Sequence, residues 1–166
     1  MKKYFIYLFV YSVLGFILER IINIIAYGYW YDNSILIGPY QPLYGSGIVM
    51  AIIIYDYLIS KKVSNKYARN ILLLIVAILT TAIAEATTGF GYEYLYHVTL
   101  WNYGEFFSCK VPYVCVIPTS LFGIGSYFVI IYFHPIVKQL EKALPNYLVF
   151  TVVIMFSLDI IITFFL

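Results

Sequence analysis

Five apolar runs, residues 4–27, 43–59, 71–89, 114–133 and 147–166, take up most of this chain. At about 1.5 Å per helical residue, each reaches across or nearly across a hydrocarbon core of roughly 30 Å. A lone segment in hydrocarbon can satisfy its backbone donors and acceptors only as a helix. The remaining composition agrees: 63% of residues are hydrophobic, 11% are charged, and mean hydropathy is +0.90. That is too little polar surface for water to solvate, so the lipid bilayer must be the solvent. The expected fold is an all-α, polytopic transmembrane helix bundle of about five spans, forming one integral membrane domain over residues 1–166. Aromatic residues make up 20% of the chain, mostly Tyr, which suits repeated crossings of membrane interfaces.

Charge orients the spans. Lys2 and Lys3 precede the first, Lys61, Lys62, Lys66 and Arg69 fill the second connection, and Lys138 and Lys142 lie in the fourth. The first connection has neither Lys nor Arg, and the third has only Lys110. Basic and non-basic sides alternate, so the N-terminus is expected in the cytoplasm and the C-terminus outside, in the cytoplasmic membrane. The first run is too long for a signal-peptide core and no small-residue cleavage site follows it, so it reads as a retained span. A net charge of +2 with dispersed bases gives nucleic-acid binding no support. Cys109 and Cys115 are the only cysteines. They would pair in an oxidising compartment, but two free thiols is the favoured expectation; they make a poor metal site. His134-Pro135 is expected to close the fourth span. Residues 136–144 then suit a short interfacial helix with Lys138, Glu141 and Lys142 toward water, and Pro145-Asn146 starts the fifth span.

Charged residues inside the spans are the candidates for chemistry, because each costs roughly 2.5–3.5 kcal/mol near the bilayer centre on insertion scales. In the first span Ser12, Gly15, Glu19 and Asn23 follow three- and four-residue steps and share one face, expected to point inward. Arg20 lies about 100° away around the helix, so it is expected to pair elsewhere or snorkel to the boundary. In the third span Thr81, Glu85, Thr88 or Gly89, and Tyr92 share a face within "TTAIAEATTGFGYEY". Glu19 and Glu85 both fall in the outer half of the membrane, where two carboxylates meeting across a cavity would hold a proton, a cation or an amine. If Arg20 neutralises one, a structural salt bridge results instead. Asp56 reads as a boundary acid, Asp159 as an inter-helix hydrogen-bonding group, and His134 as an interfacial residue.

Between the first two spans stands "GPYQPLYGSG", Gly38 to Gly47, too rich in helix breakers to read as a helix and too poor in charge for a solvated loop. One reading is a rigid outer turn followed by a tightly packed helix start. The other is a re-entrant elbow, partly inserted in the membrane, that covers Glu19 and Glu85 and offers Gln41 and Tyr44 as polar contacts.

The run "LGFILE" ending at Glu19, then "GPYQPLYGSG", Glu85, "LWNYGEFF" and "SLFGIGS" resembles the putative ABC-transporter type IV, permease-like membrane proteins of bacteria. The resemblance falls on Gly15, Glu19, Gly38, Pro39, Pro42, Tyr44, Gly45, Glu85, Trp101, Tyr103, Ser120 and Gly123. Asn102 departs from it, standing where an Asp is common. "FFSCKVPYVC" keeps the pattern's cysteine at Cys115 but lacks its Asn-Gly turn. The resemblance implies a bacterial inner-membrane, transport-related subunit. No phosphate-binding G-x-x-x-x-G-K-[ST] loop is present, so an ATPase would be a separate partner. The expected substrate-binding set is Glu19, Glu85, Gln41, Tyr44, Asn23, Trp101 and Tyr103, with no metal and no cofactor, in a homo-oligomer or with a separate membrane or ATPase subunit. A non-catalytic partner or sensor subunit is the alternative. A membrane enzyme acting on lipid or lipid-linked substrate through Glu85, Glu93, His97 and Tyr103 ranks lower, because no nucleophile–base spacing is distinctive.

Overall fold

Long apolar runs become long helices here, and the helix ends carry most of the new information. The computed structural model describes residues 2–30, 34–107 and 109–165. Within them the chain is all-α: α1 (Lys2–Tyr27), α2 (Pro42–Lys62), α3 (Lys66–Tyr96), the short α4 (Tyr103–Phe107), α5 (Val116–Ala143) and α6 (Asn146–Phe165). Five of these are long and apolar enough to cross a membrane, and the chain is a multi-pass membrane protein. Leu166, the expected end of the last span, lies outside the described residues.

Two proline positions behave differently from expectation. Pro42 does not exclude a helix; it begins one, so the second half of "GPYQPLYGSG" forms the first turns of α2. At the first helical position the missing N–H has no intrahelical partner to lose, and the fixed φ already suits the helix. Nor does His134-Pro135 close the fourth span, because α5 runs on to Ala143 and absorbs the expected separate helix over 136–144. The turn before it is π-helical, Val129–Phe133, and the His134 N–H reaches back to the Val129 carbonyl. That wider turn shifts the carbonyl register just where Pro135 would otherwise break it. α3 starts on Asn65, whose Oδ1 accepts from the N–H groups of Tyr67 and Ala68 at 2.8 and 3.2 Å. It ends where His97 turns left-handed at φ 56°.

The chain divides into two compact units, residues 1–45 with 135–166, and residues 46–134; the boundaries fall inside α2 and α5. In the first unit the Lys2 ammonium donates to the Leu144 carbonyl at 3.0 Å and to Asn146 Oδ1 at 2.8 Å. α1 and α6 therefore begin at the same end. Phe5, Phe9, Val13, Ile160 and Phe164 pack around the buried cluster of Leu36, Tyr40 and Phe156. The small face expected on α1 is buried at Ser12, Gly15 and Asn23, with Glu19 half-buried. Its role includes receiving the start of α2: the Gln41 N–H donates to the Ser12 carbonyl at 2.9 Å. A Cβ on Gly45 would stand 2.4 Å from the Leu8 carbonyl oxygen.

Arg20 takes the first of its two expected courses and pairs elsewhere. It is 2% exposed, its guanidinium 4.4 Å from the Phe16 ring centroid and 5.8 Å from that of Trp30, and it donates to Ser34 Oγ at 2.9 Å. A delocalised cation that never deprotonates is suited to aromatic faces and a hydroxyl when drawn out of water.

In the second unit Leu73, Ala77, Thr80, Thr81, Ala84, Glu85 and Gly89 form the buried stripe of α3. Small residues there and on α5 let backbones approach, as helices in lipid must if packing is to hold them. A Cβ on Gly123 would sit 2.6 Å from Ile78 Cα.

Candidate functional site: the buried Glu85 carboxylate

Glu85 is the ionisable group on the buried stripe of α3, 4% exposed. Two hydroxyls meet it. Tyr103 Oη donates to Oε1 at 2.8 Å, and Thr119 Oγ1 donates to Oε2 at 2.5 Å. Among the described residues no Lys, Arg or His pairs with it.

Each hydroxyl is held by the connection between α3 and α5. The Tyr103 N–H donates to the Pro112 carbonyl at 2.7 Å, and Trp101 Nε1 donates to the neighbouring Tyr113 carbonyl at 3.3 Å. The Tyr113 ring is fully buried, edge-on to Phe90 and Trp101 with centroids 4.9 and 5.6 Å apart. It occupies the space that a side chain on Gly89 would need, since a Cβ there would come within 2.3 Å of the ring. Asn102 Oδ1 accepts the Gly104 N–H at 2.9 Å, a side-chain turn that an aspartate could make equally well. The acid–amide difference at that position thus falls on a backbone contact.

Cys109 and Cys115 form a disulfide, contrary to the expectation of free thiols. Cys115 is also the N-cap of α5. Its N–H donates to Thr119 Oγ1 at 3.1 Å while its carbonyl accepts the Thr119 N–H at 2.9 Å. Thr119 therefore accepts from the cap and donates to Glu85 through the same oxygen. Pro118 is in the first turn of α5, where a missing N–H is harmless. Over residues 6–164 the chain matches the model of the family described as Putative ABC-transporter type IV.

The chain belongs to the putative ABC-transporter type IV family. No curated protein and no solved structure shows significant similarity to it.

In this type IV family member the structure brings three of the expected site residues together: Glu85, Tyr103 bonded to it, and Trp101 bracing the same segment. The other four, Glu19, Asn23, Gln41 and Tyr44, belong to the first unit. Asn23 is buried there, Glu19 and Gln41 are half-buried, and the Tyr44 side chain fills the space in front of Gly15. Among the described residues no His, Cys, Asp and Glu gather into a metal-holding group.

Sequence reasoning missed Thr119 altogether, whereas Asp159 is the hydrogen-bonding group it was expected to be, serving the segment before α2 rather than another helix. Asp159 is 8% exposed and anchors the non-helical segment that precedes α2. Its Oδ1 accepts from the Ile37 N–H at 3.1 Å and Thr163 Oγ1 at 3.0 Å, and its Oδ2 from the Gly38 N–H at 2.8 Å and the Tyr40 hydroxyl. Burial, and then the Asp159 carboxylate beside it, push the Tyr40 phenol well above its ordinary value, so it remains a donor. The signal was available: non-helical backbone between two spans needs acceptors for its N–H groups, and α6 has one acid to offer.

Proposed function

We propose that this protein is a transport-related membrane subunit whose working group is Glu85. The observation that carries the reading is a buried carboxylate met by two hydroxyls and by no cation among the described residues. An ionised carboxyl has about four lone-pair positions, so acceptor capacity is left for one positive partner. In an apolar surrounding an unbalanced carboxylate is costly. A proton or a small cation, an amine included, restores the balance, and exchanging one for another is the elementary step of cation-linked transport. Tyr103 and Thr119 orient the carboxylate, and Trp101 braces the segment that carries Tyr103.

The orientation with the N-terminus in the cytoplasm fits this reading. It places the basic connections inside and the disulfide-bearing connection outside, where disulfides persist. Association of the start of α1 with the start of α6 is what an odd number of spans requires. The sequence carries no phosphate loop, so nucleotide-driven transport would use a separate subunit.

Carbodiimide labelling tests the assignment without knowledge of the cargo, because dicyclohexylcarbodiimide modifies protonated carboxyls in apolar sites. In lipid-reconstituted protein the Glu85 peptide should gain the adduct mass. Sodium, potassium or methylammonium ions should slow its labelling, and Glu85→Gln should abolish both the adduct and cation-linked proton movement in proteoliposomes while still inserting. Labelling indifferent to all three ions and to pH, with unchanged proton movement in the variant, refutes the proposal.

A further inference from the structure

The Cys109–Cys115 bond closes a short loop whose centre presents two carbonyls inward, those of Pro112 and Tyr113. The first holds the Tyr103 N–H and the second holds the Trp101 indole. At the loop's end the backbone of Cys115 grips Thr119 from both sides, by N–H to Oγ1 and by carbonyl to N–H. Both hydroxyls that meet Glu85 are therefore positioned by residues inside or closing this single covalent loop.

We infer that the disulfide is a redox-sensitive positioning element of the Glu85 site: oxidised, it sets the Tyr103 and Thr119 hydroxyls on the carboxylate; reduced, it releases them. Its consequence for transport rests on the reading of Glu85 given above, but the structural coupling does not. Cys109 is half-buried and Cys115 is 4% exposed, which makes Cys109 the more accessible half of the pair. A dithiol attacks there as thiolate, forming a mixed disulfide and expelling the Cys115 thiolate. That leaving group lies at the start of α5, where the helix N-terminus favours negative charge. The second thiol of the dithiol then displaces Cys109. Two electrons and two protons pass from the dithiol, which becomes a disulfide, to the two cysteines, which become thiols. The loop then loses its closure, and the carbonyls of Pro112 and Tyr113 are no longer held under Tyr103 and Trp101.

A global role for so short a loop is limited, because the chain entropy removed by a disulfide grows with loop length. The principal effect of reduction is therefore local, and Trp101 and Glu85 are its two reporters. In a Trp30→Phe background Trp101 is the sole tryptophan. Reconstituted protein is treated with dithiothreitol, then reoxidised with diamide, and read at each stage by Trp101 emission and by the rate of carbodiimide labelling at Glu85. Reduction should shift the emission to the red and raise the labelling rate by about tenfold if both hydroxyl contacts go, reversibly. The double variant Cys109→Ser/Cys115→Ser should match the reduced protein. Adding Tyr103→Phe and Thr119→Val should remove the redox response of the labelling while leaving that of Trp101.

A red shift without any change at Glu85 overturns the inference and leaves the disulfide a loop staple. No response at either reporter, with the bond shown by mass to be reduced, overturns it too. If reduction alters labelling but no cation does, the positioning role stands and the transport reading falls. If cations slow labelling and reduction does nothing, the reverse holds.

Discussion

Replacing Asp159 with Asn removes one acceptor oxygen and no volume, which makes it the sharpest test of how the segment between α1 and α2 is held. The four donors fall in two pairs, Ile37 N–H with Thr163 Oγ1 on Oδ1, and Gly38 N–H with Tyr40 Oη on Oδ2. An amide offers one carbonyl oxygen and one NH2, so one pair must face donors. The favourable flip turns the NH2 toward Ile37 and Thr163. The Thr163 hydroxyl can rotate to accept, but the Ile37 N–H cannot. The carbonyl keeps Gly38 and Tyr40, now without charge. One orphaned backbone donor at about 1–3 kcal/mol and two weakened bonds give a loss of about 2–3 kcal/mol. Asp159→Ala strips Ile37, Gly38 and Tyr40 together, while Thr163 falls back on its own helix carbonyl. That loss is about 3–6 kcal/mol.

Unfolding in mixed micelles measures the totals, and residue-resolved amide exchange identifies the donors. Asp159→Asn should deprotect Ile37 and spare Gly38; Asp159→Ala should deprotect both. Native-like exchange at both amides in the Ala variant would refute the anchor outright. Exposure of Gly38 rather than Ile37 in the Asn variant would refute the flip argument and the pairing of donors behind it.

Two further predictions rest on the second unit's packing and on the buried cation. Gly123→Ala should lose about 1–3 kcal/mol, because the new Cβ meets Ile78 backbone at 2.6 Å. Gly125→Ala, with nothing within 4 Å of its Cβ, should be neutral or gain up to about 1 kcal/mol. Unfolding of both in the same micelles decides, and the reverse order would contradict the close approach of α3 and α5. Arg20→Lys should lose about 1–2 kcal/mol by giving up the guanidinium's cation–π contacts with the Phe16 and Trp30 rings. In a Trp101→Phe background it should make Trp30 more quenchable by acrylamide, and unchanged quenching would count against that contact.

The spans were legible because a long apolar run in lipid admits one backbone solution, and Glu85 was legible because an acid within such a run is rare. Its partners were not. Thr119 is 34 residues away in sequence and Tyr103 is 18, and neither stands out by type; Tyr103 drew attention through the family resemblance and as one acid/base group of the enzyme alternative, not as a partner of Glu85. A helix starting at about Leu43 was legible and begins at Pro42, but Pro135 was misread: proline breaks a helix by its missing donor and its ring, and both vanish as obstacles beside a π-helical turn. That Arg20 would pair elsewhere was legible, but its partners were not, because a helical wheel sees only its own helix. What buries it includes Trp30 and Ser34, returned to it by the chain beyond α1. Six-residue spacing of two cysteines says nothing about pairing without the loop that Pro112 and Tyr113 shape.

Asp159 and Glu85 look alike in sequence, each a buried acid in an apolar helix, and the type of donor each receives separates them. Asp159 is saturated, and two of its donors are backbone amides that can only donate and cannot turn away. A proton or cation arriving there would have to displace the backbone at Ile37 and Gly38, so the carboxylate is committed to structure. Glu85 receives two hydroxyls, which are rotors. Each can give its proton to a bare carboxylate, or turn a lone pair toward a protonated carboxyl or a bound cation, without moving its own backbone. Thr119 already uses its oxygen both ways, accepting from Cys115 while donating to Glu85. A carboxylate served by reversible partners can change its charge state inside a fixed fold, whereas one served by amides cannot. That difference, more than depth or burial, is why the working group is assigned to α3 rather than to α6.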